Sequence, residues 1–364
     1  MEKPDWNGLF KQQKVLFPSA RLQDLIKALH QACLGCGHLI ADEAGSFARL
    51  RAEWNGAPVT GRFPEALSDG FARLHLGDAR EQGVRPETAQ RLFALSARIR
   101  TGQEDLFREA LGEIRDAVRT GVFPADEEDE AFLSAYLPKA PGMLSHSEVF
   151  RQLYRPAYRV IAAECAALLP LIARIDRQLS AGQRVTLAVE GGCASGKSSA
   201  AALLRAVYGA PVIQMDDFFL RPEQRTEERF REAGGNVDRE RFLQEIGPHL
   251  RTGGAFSYRR FDCAAMALGE SVRVPASPLV IVEGSYAMHP ALAHLYDLSV
   301  FITADPETRR KRILRRNGEK ASMFFTRWMP LEDAYFEATK AEKRCTLSLP
   351  WPDTPLRVPT EEDL

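Results

Sequence analysis

The chain lacks the long apolar run of a membrane segment. Its longest uncharged apolar stretch, Cys165–Ala173, falls well short of the roughly 18 residues a spanning helix needs, and Pro170 interrupts it. Nor is charge of either sign in excess. The 48 Lys+Arg against 49 Asp+Glu give a net charge of −1, so composition makes no case for a nucleic-acid partner. The first residues contain no continuous hydrophobic segment, so we read no signal peptide and expect the cytoplasm. The six cysteines, at 33, 36, 165, 193, 263 and 345, are too scattered for a disulfide framework and suit a reducing compartment. Cys33 and Cys36, with His38 close behind, have a metal-like spacing, but no second ligand pair of matching spacing follows. We therefore read them as small buried residues at a helix end and assign no metal to them. Internal repeats and low-complexity segments are also missing.

What remains is ordinary globular composition, 45% hydrophobic and 27% charged over 364 residues, which at roughly 150 residues per domain suggests about two domains. From Ser19 to about Gly182 apolar residues recur at three- and four-residue spacing, so residues 1–182 read as an all-α N-terminal domain of unassigned role. One helix is expected over Glu104–Arg119, where Phe107, Ala110, Leu111 and Ile114 share a stripe and Gly121 follows as a stop. A second is expected from a capping box at Ser145–Glu148 through Tyr158, Ile161 and Ala162 toward Leu168, kinked at Pro156 and Pro170. The acidic run Asp126–Glu130 reads as a solvated loop or a helix start.

Near residue 184 the texture changes. Short β-rich runs at Val185–Val189, Pro211–Gln214, Leu279–Val282 and Leu298–Ile302 alternate with helical stretches, which predicts a parallel α/β sheet flanked by helices over 183–364. Ligands of such sheets lie at the carboxyl ends of the strands, so chemistry is sought just after Val189, Gln214 and Val282.

Directly after the first strand comes Gly191-Gly192-Cys193-Ala194-Ser195-Gly196-Lys197-Ser198, a complete GxxxxGK[ST] motif, with Ser199 opening a helix-competent run. The glycines let backbone N–H groups approach phosphate oxygens, and the helix presents its positive end to the same anion. Lys197 is expected on the β/γ-phosphates and Ser198 on Mg²⁺. The second strand ends at Asp216 and Asp217, where a carboxylate could take a proton from an acceptor hydroxyl. The third ends at Glu283, the position of a metal-side acid. Arg309–Arg316 then holds six cations in eight positions, dense enough to shield a transferring phosphoryl group.

These stretches resemble the uridine kinase and phosphoribulokinase group of P-loop kinases. The likeness covers roughly 183–350 and is carried by the P-loop, Asp216-Asp217-Phe218-Phe219, Val280–Gly284 and Arg309–Arg316. It implies a P-loop kinase domain using ATP and Mg²⁺, with Asp216 as base, Glu283 beside the metal, and Arg312, Arg315 and Arg316 as lid arginines. Arg309 and Arg310 are alternates if the register slides by one. Asp238, Tyr258 and Phe261, together with Asp217, fall where the family grips its acceptor, a small hydroxylated metabolite led by nucleosides. The hairpin after Tyr258 lacks the family's histidine, so a sugar phosphate or a pantothenate- or glycerate-like acceptor stays open, and Arg259 and Arg260 read either as strand-edge charges or as partners of such an anion. A rival reading is a nucleotide-dependent switch whose helical half binds a partner. No GTPase base-reading motif is present, and the oligomeric state, a homo-oligomer included, is left open.

Overall fold

The computed structural model describes residues 5–35, 40, 42–121, 124–353 and 357. They fall into two compact units, one comprising the residues up to Leu169 together with Arg357 and the other running from Pro170 to Asp353. The division precedes the change of texture because the helix Leu169–Ser180 lies almost wholly in the second unit, where Asp176 accepts a hydrogen bond from the Tyr208 hydroxyl at 3.0 Å.

The first unit is mostly helical. The helix Glu104–Arg119 buries Phe107, Ala110, Leu111 and Ile114 as its spacing requires. The acidic run is a helix start: Asp126 caps Glu127–Tyr136 by accepting from the Asp129 amide at 2.9 Å, which sets the following acids at the positive helix end. Arg21 pairs with Asp126 and Glu128.

The unit is not all-α, however. Strands β1 (Glu65–Ala66), β2 (Phe71–His75) and β3 (Tyr158–Ala162) form an antiparallel sheet in that order. The helix begun at Glu148, capped by Ser147, ends at Tyr154; Arg155 turns left-handed (φ 44°) and Pro156 follows. Proline pushes its predecessor out of the helical region, and Val160-Ile161 then suits a pleated partner. Helical spacing hid β2 because this fully buried strand carries Arg73 and His75 where apolar residues would be expected.

Arg73, 0% exposed, donates to Gln31 at 2.9 and 2.7 Å, to Gln13 at 2.9 Å and to Glu65 at 2.9 Å, while His75 meets the other Glu65 oxygen at 2.7 Å. Burial alone would push Glu65 up, yet His75, Arg73 and Gln13 hold it down to about 2. Among the described residues no group of three or more His, Cys, Asp or Glu side chains could hold a metal ion; Cys33 is buried, and Cys36 and His38 lie outside them.

In the second unit, strands β4 (Val185–Glu190), β5 (Val212–Gln214), β8 (Leu279–Glu283), β9 (Leu298–Thr303) and β10 (Leu347–Pro350) form a parallel sheet ordered β10-β9-β4-β8-β5. Strands β6 (Phe256–Asp262) and β7 (Ala267–Val274) form a separate hairpin. One face of the sheet packs Ala188, Val282 and Phe301 beneath Tyr286 and Tyr335. No helix among the described residues is long and apolar enough to cross a membrane.

Replacing Arg73 with Ala strands Glu65 in the interior and is expected to destabilise the first unit by about 3–5 kcal/mol in chemical unfolding. Because the folded Glu65 value lies below its ordinary 4.5, its contribution is present above pH 4.5 and lost as pH falls toward about 2. Unfolding midpoints measured across that window check the sign.

Candidate functional site

Parallel register brings the carboxyl ends of three strands level, because Val189 and Gln214 both pair with Glu283 across β4, β8 and β5. The chain leaves β4 through Gly191 (φ 145°), where an added Cβ would lie 2.4 Å from the Ile302 carbonyl oxygen. It enters the helix Lys197–Tyr208 through Gly196 (φ 111°), where a Cβ would lie 2.4 Å from the Trp351 ring. Both conformations are glycine territory, and both positions are closed to any side chain. Between them Ala194 adopts φ 59°, and the Ser195 amide closes a tight turn onto the Gly192 carbonyl at 3.1 Å. The first-turn amides of Lys197, Ser198 and Ser199 have no acceptor within their own helix, the standard condition of a helix N-terminus facing an anion.

Lys197 is 8% exposed, and its ammonium rests on the Gly192 carbonyl at 3.1 Å. The Ser198 hydroxyl donates to Glu283 at 3.1 Å. Burial pushes the Glu283 carboxyl up, Lys197 opposes that, and Asp216 adds to it. Asp216, an exposed residue, is likewise pushed up by desolvation and by Asp217, with Lys197 and Arg316 opposing. A hydroxyl and a buried carboxylate are the hard oxygen donors that suit a small divalent cation, and the glycine cradle leaves room for phosphate; the residues fit both groups.

Asp217 faces inward. It accepts from the Tyr258 hydroxyl at 2.6 Å and lies 3.5 Å from the Arg260 guanidinium, tying the β6-β7 hairpin to the end of β5. Asp238, 1% exposed, caps the helix Arg239–Glu245 through the Arg241 amide at 3.1 Å, while its other oxygen lacks a hydrogen bond. Phe261 is buried with Arg225 over its ring. Of the four residues expected on the acceptor side, then, Asp217, Asp238 and Tyr258 are engaged in fixing local structure, and Phe261 is packed.

The helix Pro306–Asn317 carries the arginines. Arg309 donates to the Cys193 carbonyl at 3.0 Å, and Arg312 reaches the Ala194 and Ser195 carbonyls at 3.2 and 3.3 Å and Asp353 at 3.1 Å. Arg316 is exposed, yet its charge bears on Asp216; Arg315 is exposed and makes no ion pair among the described residues. Arg310 covers the Phe325 ring. The helix therefore brings Arg309 and Arg312 to the P-loop, and of the alternates it is Arg309 that touches it.

Two carboxylates escaped the sequence reading. Glu332, 5% exposed, accepts from the Cys193 amide at 2.8 Å and the Ser285 hydroxyl at 2.7 Å, with Arg309 at 3.3 Å. Glu190, 0% exposed, accepts from the Gly191, Tyr286 and Met288 amides and the Tyr335 hydroxyl at 2.9–3.1 Å. Burial pushes its carboxyl up to about 7, against those donors and Lys197. A glutamate ending an otherwise apolar strand immediately before the glycines was a readable signal. Glu332, in contrast, sits in a helix whose spacing marks nothing.

No family model matches the chain, and no curated protein does. Among solved structures, it is similar to a possible uridine kinase from Bacillus stearothermophilus, at 19% identity over 49% of this chain and 98% of that one, with a TM-score of 0.37. It is also similar to TT1252 from Thermus thermophilus, at 22% identity over 50% of this chain and 92% of that one, with a TM-score of 0.26. The second unit is an α/β fold in its own right: a five-stranded parallel sheet with the strand that leads into the 191–198 loop at its centre.

On the reading that this loop takes a nucleotide, Gly196→Ala should weaken that binding at least about tenfold in calorimetric titration, because it forces the loop off Trp351 and out of its left-handed turn. Between pH 4.5 and about 7 the folded chain holds the Glu190 proton that the unfolded chain has lost, so this group's contribution falls as pH rises. Thermal midpoints across that range should show the slope in the native protein and lose it in Glu190→Gln.

Proposed function

We propose that the chain is an ATP- and Mg²⁺-dependent kinase that transfers a phosphoryl group to a hydroxyl of a small metabolite, with nucleosides as the leading class. The observation that carries this reading is the meeting of Lys197, the Ser198–Glu283 pair and Asp216 at one sheet edge, with each carboxyl coupled to the Lys197 charge. A switch that only senses nucleotide has no need of a solvent-facing carboxylate poised beside the phosphate cradle.

In this mechanism the P-loop amides and Lys197 hold the triphosphate of the donor. Ser198 and Glu283 would hold Mg²⁺, which when bound neutralises charge on the phosphate oxygens. Asp216 orients the acceptor hydroxyl and takes its proton. Arg309 and Arg312, already on the loop carbonyls, keep the cradle in shape, and Arg316 adds positive charge on the side of Asp216 as negative charge shifts in transfer. Tyr258 and Arg260 engage Asp217, which leaves Asp216 as the carboxylate free to act as base.

Incubation with ATP, Mg²⁺ and a panel of nucleosides, sugar phosphates and pantothenate- and glycerate-like acceptors should give a product heavier by about 80 Da, one phosphoryl group. Lys197→Ala should abolish it. Asp216→Asn should keep ATP binding but lose roughly 10²–10⁴-fold in transfer. Since Asp216 works ionised and its value is raised, kcat/KM should fall with decreasing pH along a limb lying above the ordinary 3.8, and that limb should vanish in Asp216→Asn. Unchanged turnover in that variant would remove the proposed base, and nucleotide-dependent capture of a protein partner with no phosphorylated product would replace the kinase by the switch.

A further inference from the structure

A cavity of about 330 Å³ opens at the carboxyl end of β9, against the P-loop on the side of Gly192 and Ser195. None of Lys197, Ser198, Asp216 and Glu283 lines it, so it is distinct from the constellation argued above. Its wall is Phe336 and the end of β9, and its lining carries three cations, Arg309, Lys340 and Lys343, against a single acid, Glu342. Glu342 is engaged by the Ser348 hydroxyl at 2.7 Å.

Two features mark the cavity as built for an anion. First, Ser195, a residue 1% exposed, lines it, and its buried hydroxyl has no hydrogen-bond partner. A buried hydroxyl left this way is costly to the fold. Second, Lys340 and Lys343 are exposed at its rim and form no ion pair among the described residues. Lys340 is also held in a left-handed turn (φ 51°) between the helices Met329–Thr339 and Ala341–Arg344, a conformation disfavoured for a residue with a side chain. The turn holds an ammonium-bearing stem at the mouth of the cavity. Arg309 completes the set from the far wall, where it already joins the loop to Glu332.

We propose that this cavity is a second anion site that takes a small phosphomonoester, with its phosphate among Lys340, Lys343 and Arg309 and its organic body against Phe336. A divalent oxyanion suits three cations better than a single carboxylate does, and the volume is at the lower end of those that enclose metabolite-sized ligands. A ligand there touches Arg309 and Ser195, two elements of the nucleotide cradle, yet leaves Lys197 and its carboxylates free. Occupancy of the two sites is therefore simultaneous.

The test is calorimetric titration of the full chain with phenyl phosphate, and separately with inorganic phosphate, after saturation with Mg²⁺ and a non-hydrolysable ATP analogue. One equivalent of phenyl phosphate should still bind, more tightly than inorganic phosphate. The double variant K340Q/K343Q, which keeps the stems and removes the charges, should bind it at least about tenfold more weakly while nucleotide affinity stays within about twofold. Binding that the analogue abolishes would reassign the cavity to the nucleotide, and equal affinity in the variant, or no binding of either probe, would overturn the proposal. If the chain binds no nucleotide at all, the proposed function fails on that titration alone. The comparison of native and variant chains with phenyl phosphate still decides the second site.

Discussion

The candidate site hangs on one buried carboxylate. Glu190 gathers four donors from three stretches of chain: the Gly191 amide that opens the P-loop, the Tyr286 and Met288 amides beyond β8, and the Tyr335 hydroxyl from the helix after the arginines. Each donor alone is an ordinary hydrogen bond. Together they engage both Glu190 oxygens, two donors on each, in an interior where any unmet donor would be expensive. Tyr286 even takes a positive φ of 77° to reach it. The beginning of the loop, the segment after Glu283 and the helix bearing Glu332 thus have a common anchor, and their mutual positions follow from it.

Electrostatics then shapes what the site will accept. Lys197 is the common counter-charge to Glu190, Asp216 and Glu283, so one ammonium faces three carboxyls, two of them buried. Bringing in a triphosphate adds more negative charge, which that ammonium cannot offset alone. In the proposed reading, a divalent cation beside Ser198 and Glu283, and arginine charge from the helix Pro306–Asn317, would make anion binding compatible with such acidic surroundings. The density of cations at Arg309–Arg316 has a physical reason in this imbalance. A net charge of −1 over the whole chain conceals it.

How much of this was readable depended on whether the signal was local. The P-loop, the strand ends at Asp216 and Glu283 and the helix Glu104–Arg119 are dictated by neighbours in sequence, through glycine geometry, apolar runs and helical spacing. The sheet of the first unit was not readable, because β2 is stabilised by partners far along the chain: Arg73 and His75 look like surface residues until Gln13, Gln31 and Glu65 surround them. Glu332 escaped for the same reason, since its partners Cys193 and Ser285 precede it by well over a helix length. The arginine helix stands between these cases. Its existence was plain, but which arginine meets the loop depended on its rotation about its own axis, and that rotation makes Arg309 and Arg312 the residues in contact.

The central claim is that the level ends of β4, β8 and β5 assemble a phosphoryl-transfer site. Its most direct test is a crystal structure of the chain with Mg²⁺ and a non-hydrolysable ATP analogue. The account predicts the triphosphate on the amides of the 191–198 loop, the cation between Ser198 and Glu283, and Asp216 facing the terminal phosphate across a gap sized for a hydroxyl. A nucleotide bound away from that loop, or a terminal phosphate turned away from Asp216, would contradict it.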